Sequence, residues 1–238
     1  MVNKFKEIKH LAITMDGNRR WGIKHRSDPY KGHGEGAKTL RKILEFCQKE
    51  GIKILTVYAL SLDNLKKRSK KELAEHFRLH KKYIKEEILN KGSGFVKNKT
   101  RFNVLGRINL LPKDEQELIH RAIEKTKNFS KCIFNVCLAY DGQEEIVDAV
   151  KKILIKKTNP NTINKKTIKQ QLYTKDIPPP DIIIRTGMNP EQRLSGCLLF
   201  DSSYSELAFT KTLWPDFNEI ELTKILNTLH QRQRRFGK

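Results

Sequence analysis

Short apolar runs alternate with helix-spaced segments along the whole chain, and this alternation limits the fold more than any other feature. The run 181–185 (DIIIR) shows no apolar-polar alternation, which is typical of a strand buried on both faces. Such strands, each followed by a helix, indicate parallel pairing. The sequence therefore predicts an α/β fold, a single domain over residues 1–238 with a central, mostly parallel sheet flanked by helices. We expect strands at 8–14, 52–60, 101–106, 133–140, 181–185 and 197–200, and helices at 36–50, 72–90, 112–129, 143–155, 167–173 and 219–235.

The charge of the chain indicates anionic partners. Its 238 residues carry a formal net charge of +21, which suits nucleic acid, anionic lipid or phosphorylated small molecules. Its four cysteines form no Cys-x-x-Cys pair, so neither a zinc site nor a disulfide framework is predicted. The N-terminus lacks the apolar stretch of a signal peptide, and no 18-residue apolar run occurs. We expect a cytoplasmic protein that is at most peripheral to a membrane.

The stretch 15–21 (MDGNRRW) is the strongest candidate for a functional site. Its Asp, Gly and Asn follow an apolar strand and are typical of a tight turn in which Asp and Asn side chains cap a helix N-terminus. Helix amides and the two arginines that follow favour an anion, most naturally phosphate. A carboxylate at Asp16 repels phosphate unless a cation joins them, which indicates Mg²⁺. The alternative is a capped turn with solvated arginines.

Polar residues follow the carboxyl ends of three predicted strands. In an open parallel sheet these ends meet at one edge, where ligands bind. Neither a Gly-x-Gly-x-x-Gly nor a P-loop pattern occurs, so dinucleotide and P-loop nucleotide sites lack their required glycines. The sequence therefore predicts an anion site of another kind at this edge. Its residues are Asp16, Asn18, Arg20, Ser61, Asn64 and Arg185.

A series of motifs runs through nearly the whole chain. They are MDGNRRW, GHGEGAKTL, TVYALSLDN, PDIIIRTG, EQRLSGCLLFDSSYSEL, TLWPDF and RQRRFG. In these motifs the sequence resembles the cis-prenyltransferases, the undecaprenyl and dehydrodolichyl diphosphate synthase family. The resemblance implies a Mg²⁺-dependent enzyme that condenses isopentenyl diphosphate onto an allylic primer, farnesyl or geranylgeranyl diphosphate. It also implies a long-chain Z-polyprenyl diphosphate, a lipid-carrier precursor that associates with membranes, and a homodimer or heterodimer.

The resemblance further implies a role for each residue that matches a family motif. Asp16 handles the allylic diphosphate with Mg²⁺, and Asn64 assists proton removal. Glu206 matches a second acid associated with Mg²⁺, often supplied by the partner subunit, and residues 235–237 (RFG) match a tail that crosses the dimer interface. The residues implied for the allylic diphosphate are Gly17, Asn18, Arg19, Arg20, Trp21 and His33. Those implied for the loop near the reacting carbons are Ser61, Leu62, Asp63, Leu65 and Lys67, and those for the isopentenyl diphosphate clamp are Arg185, Arg193, Leu194 and Ser195.

The sequence departs from the family pattern at several positions. Pro29 stands where the family often has an arginine, and Leu65 replaces the usual aromatic residue. The basic residue that follows this loop is either Lys67 or Arg68, because the segment holds one extra residue. These departures leave open which side chains complete the site.

The growing hydrocarbon chain requires an apolar tunnel that excludes water. We expect this tunnel between the sheet and the helices 36–50 and 72–90. The alternative is that the apolar residues of these helices are ordinary core.

Two other classes of function compete with catalysis. A non-catalytic subunit of a heteromeric synthase typically lacks the aspartate motif, whereas this chain has Asp16. A nucleic-acid binder fits the net charge of +21 but predicts exposed aromatic residues among the basic ones. Because the aromatic residues lie mostly in apolar runs, we expect no nucleic-acid partner.

Overall fold

A computed structural model of the protein describes residues 5, 7–28, 30–188 and 190–230. Its strands are β1 (His10–Thr14), β2 (Ile54–Ser61), β3 (Thr100–Leu105), β4 (Cys132–Tyr140), β5 (Ile182–Arg185) and β6 (Glu206–Phe209). Within the described residues they form one six-stranded sheet in the order β3-β4-β2-β1-β5-β6, with every neighbouring pair parallel. The predicted α/β fold with a parallel sheet is confirmed. The interior strands β1 and β5 are neighbours, so the loops that follow them begin side by side.

Helices cover both faces of the sheet. They are α1 (Asn18–Lys24), α2 (Lys31–Glu50), α3 (Leu62–Lys67), α4 (Lys70–Tyr83), α5 (Gly94–Lys97), α6 (Lys113–Thr126), α7 (Gly142–Ile155), α8 (Lys165–Lys169) and α9 (Glu219–His230). Helix α4 continues directly into a π-helical turn, Ile84–Ile88, and short 3₁₀ turns lie at Ile108–Leu110, Pro160–Thr162 and Trp214–Asp216. In the part of the chain that the structure describes, every helix is too short or too polar to cross a membrane.

Alternate residues of the central strands enter two apolar clusters on opposite faces of the sheet. Ile182 and Ile184 of β5 pack in the cluster that includes side chains of α2, α6 and α9, whereas Ile183 packs in the other cluster with Tyr140. All three isoleucines are at most 1% exposed. A strand buried on both faces explains why this run lacks polar alternation, and burial of each side chain contributes about 1.5–3 kcal/mol.

The prediction of a strand at 197–200 is wrong. Residues 195–201 form turns, in which Ser195 and Leu198 adopt left-handed backbone conformations with φ of 49° and 48°. Cys197 and Leu198 are nevertheless buried, each 1% exposed. The apolar run thus reflects packing of a turn, and the sixth strand is the edge strand β6, which the sequence did not predict.

Two other segments differ from expectation. The residues after the second strand form the short helix α3 rather than a loop, because Ser61 Oγ accepts a hydrogen bond from Asn64 N at 3.0 Å and caps it. The predicted helix 72–90 is α4 followed by the π-helical turn. Only the part of the helix 219–235 up to His230 lies within the described residues.

Candidate functional site

The loop between β1 and α1 places Asp16 at the carboxyl edge of the sheet. Gly17 is the N-cap of α1 with φ of 111°, and no side chain among the described residues caps this helix. The predicted capping by Asp and Asn is therefore wrong. A Cβ at Gly17 would lie 2.8 Å from Leu213 Cδ2, so glycine is required for both conformation and space.

The Asp16 carboxylate lies between two arginines. Arg20, one turn into α1, donates from Nη2 to Asp16 Oδ1 at 3.0 Å, and Arg185, the last residue of β5, donates from Nη2 to Oδ2 at 2.9 Å. Thr186 fixes the backbone here, because its Oγ accepts from Asp16 N at 3.0 Å and donates to Asp16 O at 2.8 Å. The carboxylate remains 35% exposed. The structure thus brings together an acid and two guanidinium groups that the sequence separates by up to 169 residues.

Arg185 is buried and also holds the loop that follows β5. Its Nη1 donates to the carbonyl of Arg193 at 2.8 Å and to Ser195 Oγ. Its Nε has no hydrogen-bond partner among the described residues. The Arg193 side chain is more than half exposed and pairs with Glu191, while Leu194 packs against the second apolar cluster. Of the predicted clamp residues, Ser195 therefore contacts Arg185 through its side chain and Arg193 only through its carbonyl, and Arg185 is the buried member.

A second charged cluster lies beside this centre. Glu72 of α4 is buried and pairs with Arg68 at 3.3 Å and with Arg19 at 3.6 Å. Burial lowers the pKa of the Arg68 guanidinium, whereas Glu72 and Asp16 favour its charged form. Lys67 instead pairs with Asp63 at 2.7 Å on the surface, where both side chains are at least 70% exposed. Of the two candidates for the basic position, Arg68 is the one that pairs with Glu72 in this cluster.

His33 and Asn18 lie next to the loop between β1 and α1. His33 Nε2 and Asn18 Oδ1 are buried polar atoms without a hydrogen-bond partner in the described part of the chain. Burial, followed by the charge of Arg68, lowers the pKa of His33 to about 4. His33 is therefore neutral near pH 7 and carries one donor and one acceptor nitrogen.

The remaining predicted residues have local contacts. Trp21 donates from Nε1 to Asp216 Oδ1 at 2.6 Å and stacks on His25. In α3, Leu62 is buried and Leu65 packs against the larger apolar cluster. Asn64 follows them on the same short helix, at the end of β2.

Glu206 lies away from Asp16 within one chain. It begins β6 opposite Ile182, whereas Arg185 at the other end of β5 pairs with Phe209. Three residues separate these two ends, about 10 Å along the strand, and two strand spacings add about 10 Å across the sheet. In the residues that the structure describes, no group of three or more His, Cys, Asp or Glu side chains could hold a metal ion. Among the described residues, Asp16 therefore does not belong to a preformed cluster of metal ligands.

A cavity of about 100 Å³ begins beside this site and extends between the sheet, α2 and α4. Met15, Asn18 and His33 line it near Asp16, and its wall is mostly apolar. Its lining further includes Leu40, Val57, Leu79, Tyr83, Phe102, Phe134, Val136 and Leu138. This cavity lies where the sequence predicts the tunnel.

Two sets of predictions fall outside the described residues. They are the C-terminal tail at Arg235, Phe236 and Gly237 and the departure at Pro29.

Comparison with known proteins gives a match over nearly the whole chain. Residues 14–237 match the family model described as "Putative undecaprenyl diphosphate synthase". A tritrans,polycis-undecaprenyl-diphosphate synthase (geranylgeranyl-diphosphate specific) from Pyrococcus horikoshii is 42% identical over 234 residues, which cover 97% of this chain and 87% of that protein. An isoprenyl transferase from Fusobacterium nucleatum is 44% identical over 229 residues, covering 96% and 95%.

Two solved structures share the fold. Lavandulyl diphosphate synthase from Lavandula x intermedia, in complex with dimethylallyl diphosphate, aligns with a TM-score of 0.91 at 31% identity and covers 99% of this chain and 100% of that chain. A probable undecaprenyl diphosphate synthase from Campylobacter jejuni aligns with a TM-score of 0.78 at 32% identity, covering 97% and 99%.

Proposed function

The chain belongs to the cis-prenyltransferase family and is a transferase, and from this premise we propose its specific reaction. It condenses isopentenyl diphosphate onto farnesyl or geranylgeranyl diphosphate with the help of Mg²⁺, and repeats the step to give a long-chain Z-polyprenyl diphosphate. The product is a lipid-carrier precursor that associates with membranes, and the enzyme works in the cytoplasm as a homodimer.

The observation that carries this proposal is the position of Asp16 between Arg20 and Arg185. An allylic diphosphate that ionises places growing negative charge on its leaving group, which arginines stabilise with paired hydrogen bonds. The primer diphosphate takes donors of Arg20 and isopentenyl diphosphate takes donors of Arg185, so both compete with the Asp16 carboxylate for these guanidinium groups. The carboxylate is then available for a cation.

The residues at this edge fit a magnesium ion. Mg²⁺ is commonly held by one or two carboxylates together with substrate phosphates, and Asp16 supplies one exposed carboxylate beside the arginines. When bound, the ion would neutralise the charge that develops on the leaving diphosphate. Glu206 could contribute only from a partner subunit, since the two residues are far apart in one chain.

The surrounding residues then have distinct roles. Arg19, Arg68 and neutral His33 bind the primer diphosphate, and Gly17 and Asn18 shape the loop around it. Arg185, Arg193 and Ser195 bind isopentenyl diphosphate. Asn64, at the end of β2, assists removal of the proton that leaves isopentenyl diphosphate after the new bond forms.

The cavity beneath α2 and α4 is the proposed binding tunnel for the hydrocarbon. Its volume of about 100 Å³ is small for a long chain, so elongation requires α2 and α4 to separate. A second groove of about 950 Å³ on the outer side of these helices shares Ala37, Leu79 and Tyr83 with the cavity. Movement of these three side chains would join the two spaces.

Radiolabelled isopentenyl diphosphate tests the function and the primer together. The protein is incubated with the label, Mg²⁺ and either farnesyl or geranylgeranyl diphosphate, and the products are resolved by reversed-phase chromatography. The name of the Pyrococcus horikoshii relative supports geranylgeranyl diphosphate as the better primer. A ladder of labelled products is expected, and absence of product with both primers would support a non-catalytic subunit instead.

Replacing Arg68 with alanine should raise the KM for the allylic diphosphate more than replacing Lys67. Arg68 is largely buried and pairs with Glu72, whereas Lys67 is three-quarters exposed. Loss of a charge-assisted hydrogen bond costs about 1.5–3 kcal/mol, or roughly 10- to 150-fold. Steady-state kinetics of both variants, with folding checked by circular dichroism, measure this. A larger loss at Lys67 would assign the basic position to that residue.

The proposed homodimer is supported by an apolar row on α7. Val147, Val150 and Leu154 follow each other at helical spacing and are 44%, 43% and 69% exposed. Leu154→Glu should convert the dimer to a monomer in light scattering coupled to size exclusion, because a charge would be buried against a partner. Leu110→Glu, at an exposed leucine outside α7, is the matched control. If both variants have the same mass in solution, α7 does not form the dimer interface.

A further inference from the structure

The edge of the sheet opposite the diphosphate site carries a row of lysines. The amino ends of parallel strands meet at one edge, whereas the candidate site lies at the carboxyl ends. A lysine directly precedes each of four strands, β1 to β4, and all four lysines are exposed. The members of this lysine row are Lys9, Lys53, Lys99 and Lys131.

The lysine row is continuous along the edge. Its four strands are adjacent in the sheet, in the order β3-β4-β2-β1. Three strand spacings of about 4.8 Å give the row a length of about 14 Å. Backbone hydrogen bonds that involve the lysines themselves join each neighbouring pair of strands at this end. They run from Lys131 N to Lys99 O at 3.3 Å, from Ile133 N to Lys53 O at 2.8 Å and from Ile54 N to Lys9 O at 2.9 Å.

The lysine row keeps its charge free of ion pairs within the described residues. Asp181, which precedes β5, marks one end of the row, because its Oδ2 accepts from Lys9 N at 2.7 Å. The row therefore presents a strip of positive charge that a carboxylate borders at the β1 end. The lysines that do form ion pairs in the described part of the chain are Lys38, Lys67, Lys81, Lys82, Lys127 and Lys169.

The hydrocarbon cavity extends from the diphosphate edge towards the lysine row. Phe134, Val136 and Leu138 line it as alternate residues of β4, so the cavity follows one face of this strand. Phe134 pairs in register with Phe102 of β3, which also lines the cavity. Phe134 lies three residues from Lys131, about 10 Å along the strand. A hydrocarbon that grows away from the diphosphate edge therefore points towards the lysine row.

We propose that the lysine row docks the protein on an anionic lipid surface, with the hydrocarbon cavity directed at the bilayer. The choice of a lipid partner rests on the proposed function, because the proposed product is a membrane lipid. A straight row of exposed lysines suits an extended charged surface better than a small anion, which binds in concave sites. Nucleic acid offers the same phosphate chemistry, but it does not explain a hydrocarbon cavity that ends near the row.

Vesicle binding tests the lysine row in the absence of substrate. The vesicles contain phosphatidylcholine, either alone or mixed with phosphatidylglycerol, and bound protein is measured by co-sedimentation. The wild-type protein should bind the mixed vesicles alone, and added salt should weaken this binding because it screens the charges. A lysine beside an anionic surface contributes about 1 kcal/mol, or about fivefold in affinity. Replacing all four lysines of the row with glutamine should therefore lower the partition coefficient by roughly 50-fold or more.

A second quadruple variant controls for total charge. It replaces four exposed lysines with glutamine in the segments that follow β1, β2, β3 and β6, on the other side of the sheet. The charge removed is the same, yet vesicle binding should stay within about threefold of wild type, the residual effect of net charge. Circular dichroism checks the folding of both variants. The four control residues are Lys24, Lys70, Lys113 and Lys211.

A single substitution keeps the test open if the quadruple row variant does not fold. Lys131→Glu lies within the row and changes the charge by two units, so it should weaken vesicle binding roughly 25-fold. Lys113→Glu is its matched control and should leave binding close to wild type. Unchanged binding with folded Lys131→Glu, or equal losses with the two variants, would overturn the docking surface.

The remaining outcomes are also distinct. Failure of the wild-type protein to bind the mixed vesicles, or equal losses in the two quadruple variants, would overturn the docking surface. A single-stranded oligonucleotide is tested at the same phosphate concentration, and tighter binding to it than to the vesicles would overturn lipid as the partner. Vesicle binding through the row by a protein that makes no polyprenyl product would support the surface and contradict the proposed function.

Discussion

Asp16→Ala should reduce kcat by 10³ or more while the protein stays folded and binds the primer within a modest factor of wild type. The carboxylate accepts from Arg20 and Arg185, and its removal frees Arg20 for the primer diphosphate and Arg185 for isopentenyl diphosphate. The affinity for the primer therefore changes little, because the repulsion between the carboxylate and the diphosphate disappears together with any contact that the carboxylate makes. The loss falls on the ionising transition state, about 4 kcal/mol for this change in rate.

Calorimetry of primer binding and labelled product formation measure the two effects separately. Asp114→Ala is the matched control, since Asp114 is an exposed carboxylate that pairs with Lys81 away from the diphosphate edge. Turnover within tenfold of wild type in Asp16→Ala would remove Asp16 from the mechanism.

Arg185→Lys should lower kcat/KM for isopentenyl diphosphate by roughly 30- to 150-fold. The Arg185 guanidinium reaches Asp16 Oδ2, the carbonyl of Arg193 and Ser195 Oγ at once. A lysine ammonium retains the charge but cannot span these positions, so the planar paired geometry is lost. Loss of such charge-assisted bonds costs about 2–3 kcal/mol.

The same substitution at Arg193 is the control for charge alone. Arg193 is more than half exposed and pairs with Glu191, so Arg193→Lys should cost less than Arg185→Lys. Steady-state kinetics with each substrate varied in turn, together with thermal melting curves, decide the comparison. Equal losses at the two positions would contradict the view that the buried arginine organises the clamp.

The parallel sheet could be predicted because burial on both faces leaves a direct trace in the sequence. The isoleucines of β5 alternate between two apolar clusters, so every side chain in the run 182–184 is buried. Edge strand β6 leaves no such trace, since none of its side chains is fully buried. The apolar residues Cys197 and Leu198 are buried in a turn, and burial alone does not distinguish a turn from a strand.

The site could be predicted at the level of the sheet edge but not at the level of contacts. A parallel sheet implies that Asp16 and Arg185 lie at the same edge, whereas the hydrogen bond between them requires β1 and β5 to be neighbours, which depends on the strand order. The choice between Lys67 and Arg68 depends on which side of α3 faces Glu72, which spacing alone does not determine when a residue is inserted. In the sequence, His76 and His80 are recognisable only by their i, i+4 spacing. Their position in the wall of a cavity is a tertiary property.

The configuration of the first new double bond tests whether the protein is a cis-prenyltransferase that uses Asp16. The protein is incubated with Mg²⁺, excess geranylgeranyl diphosphate and ¹³C-labelled isopentenyl diphosphate at less than one equivalent, so that a single condensation dominates. The product is dephosphorylated, and the configuration at the labelled carbon is assigned by NMR. We expect a Z double bond in the product of the wild-type protein and no such product with Asp16→Ala. An E double bond, or no condensation product from the wild-type protein, would contradict the proposed function.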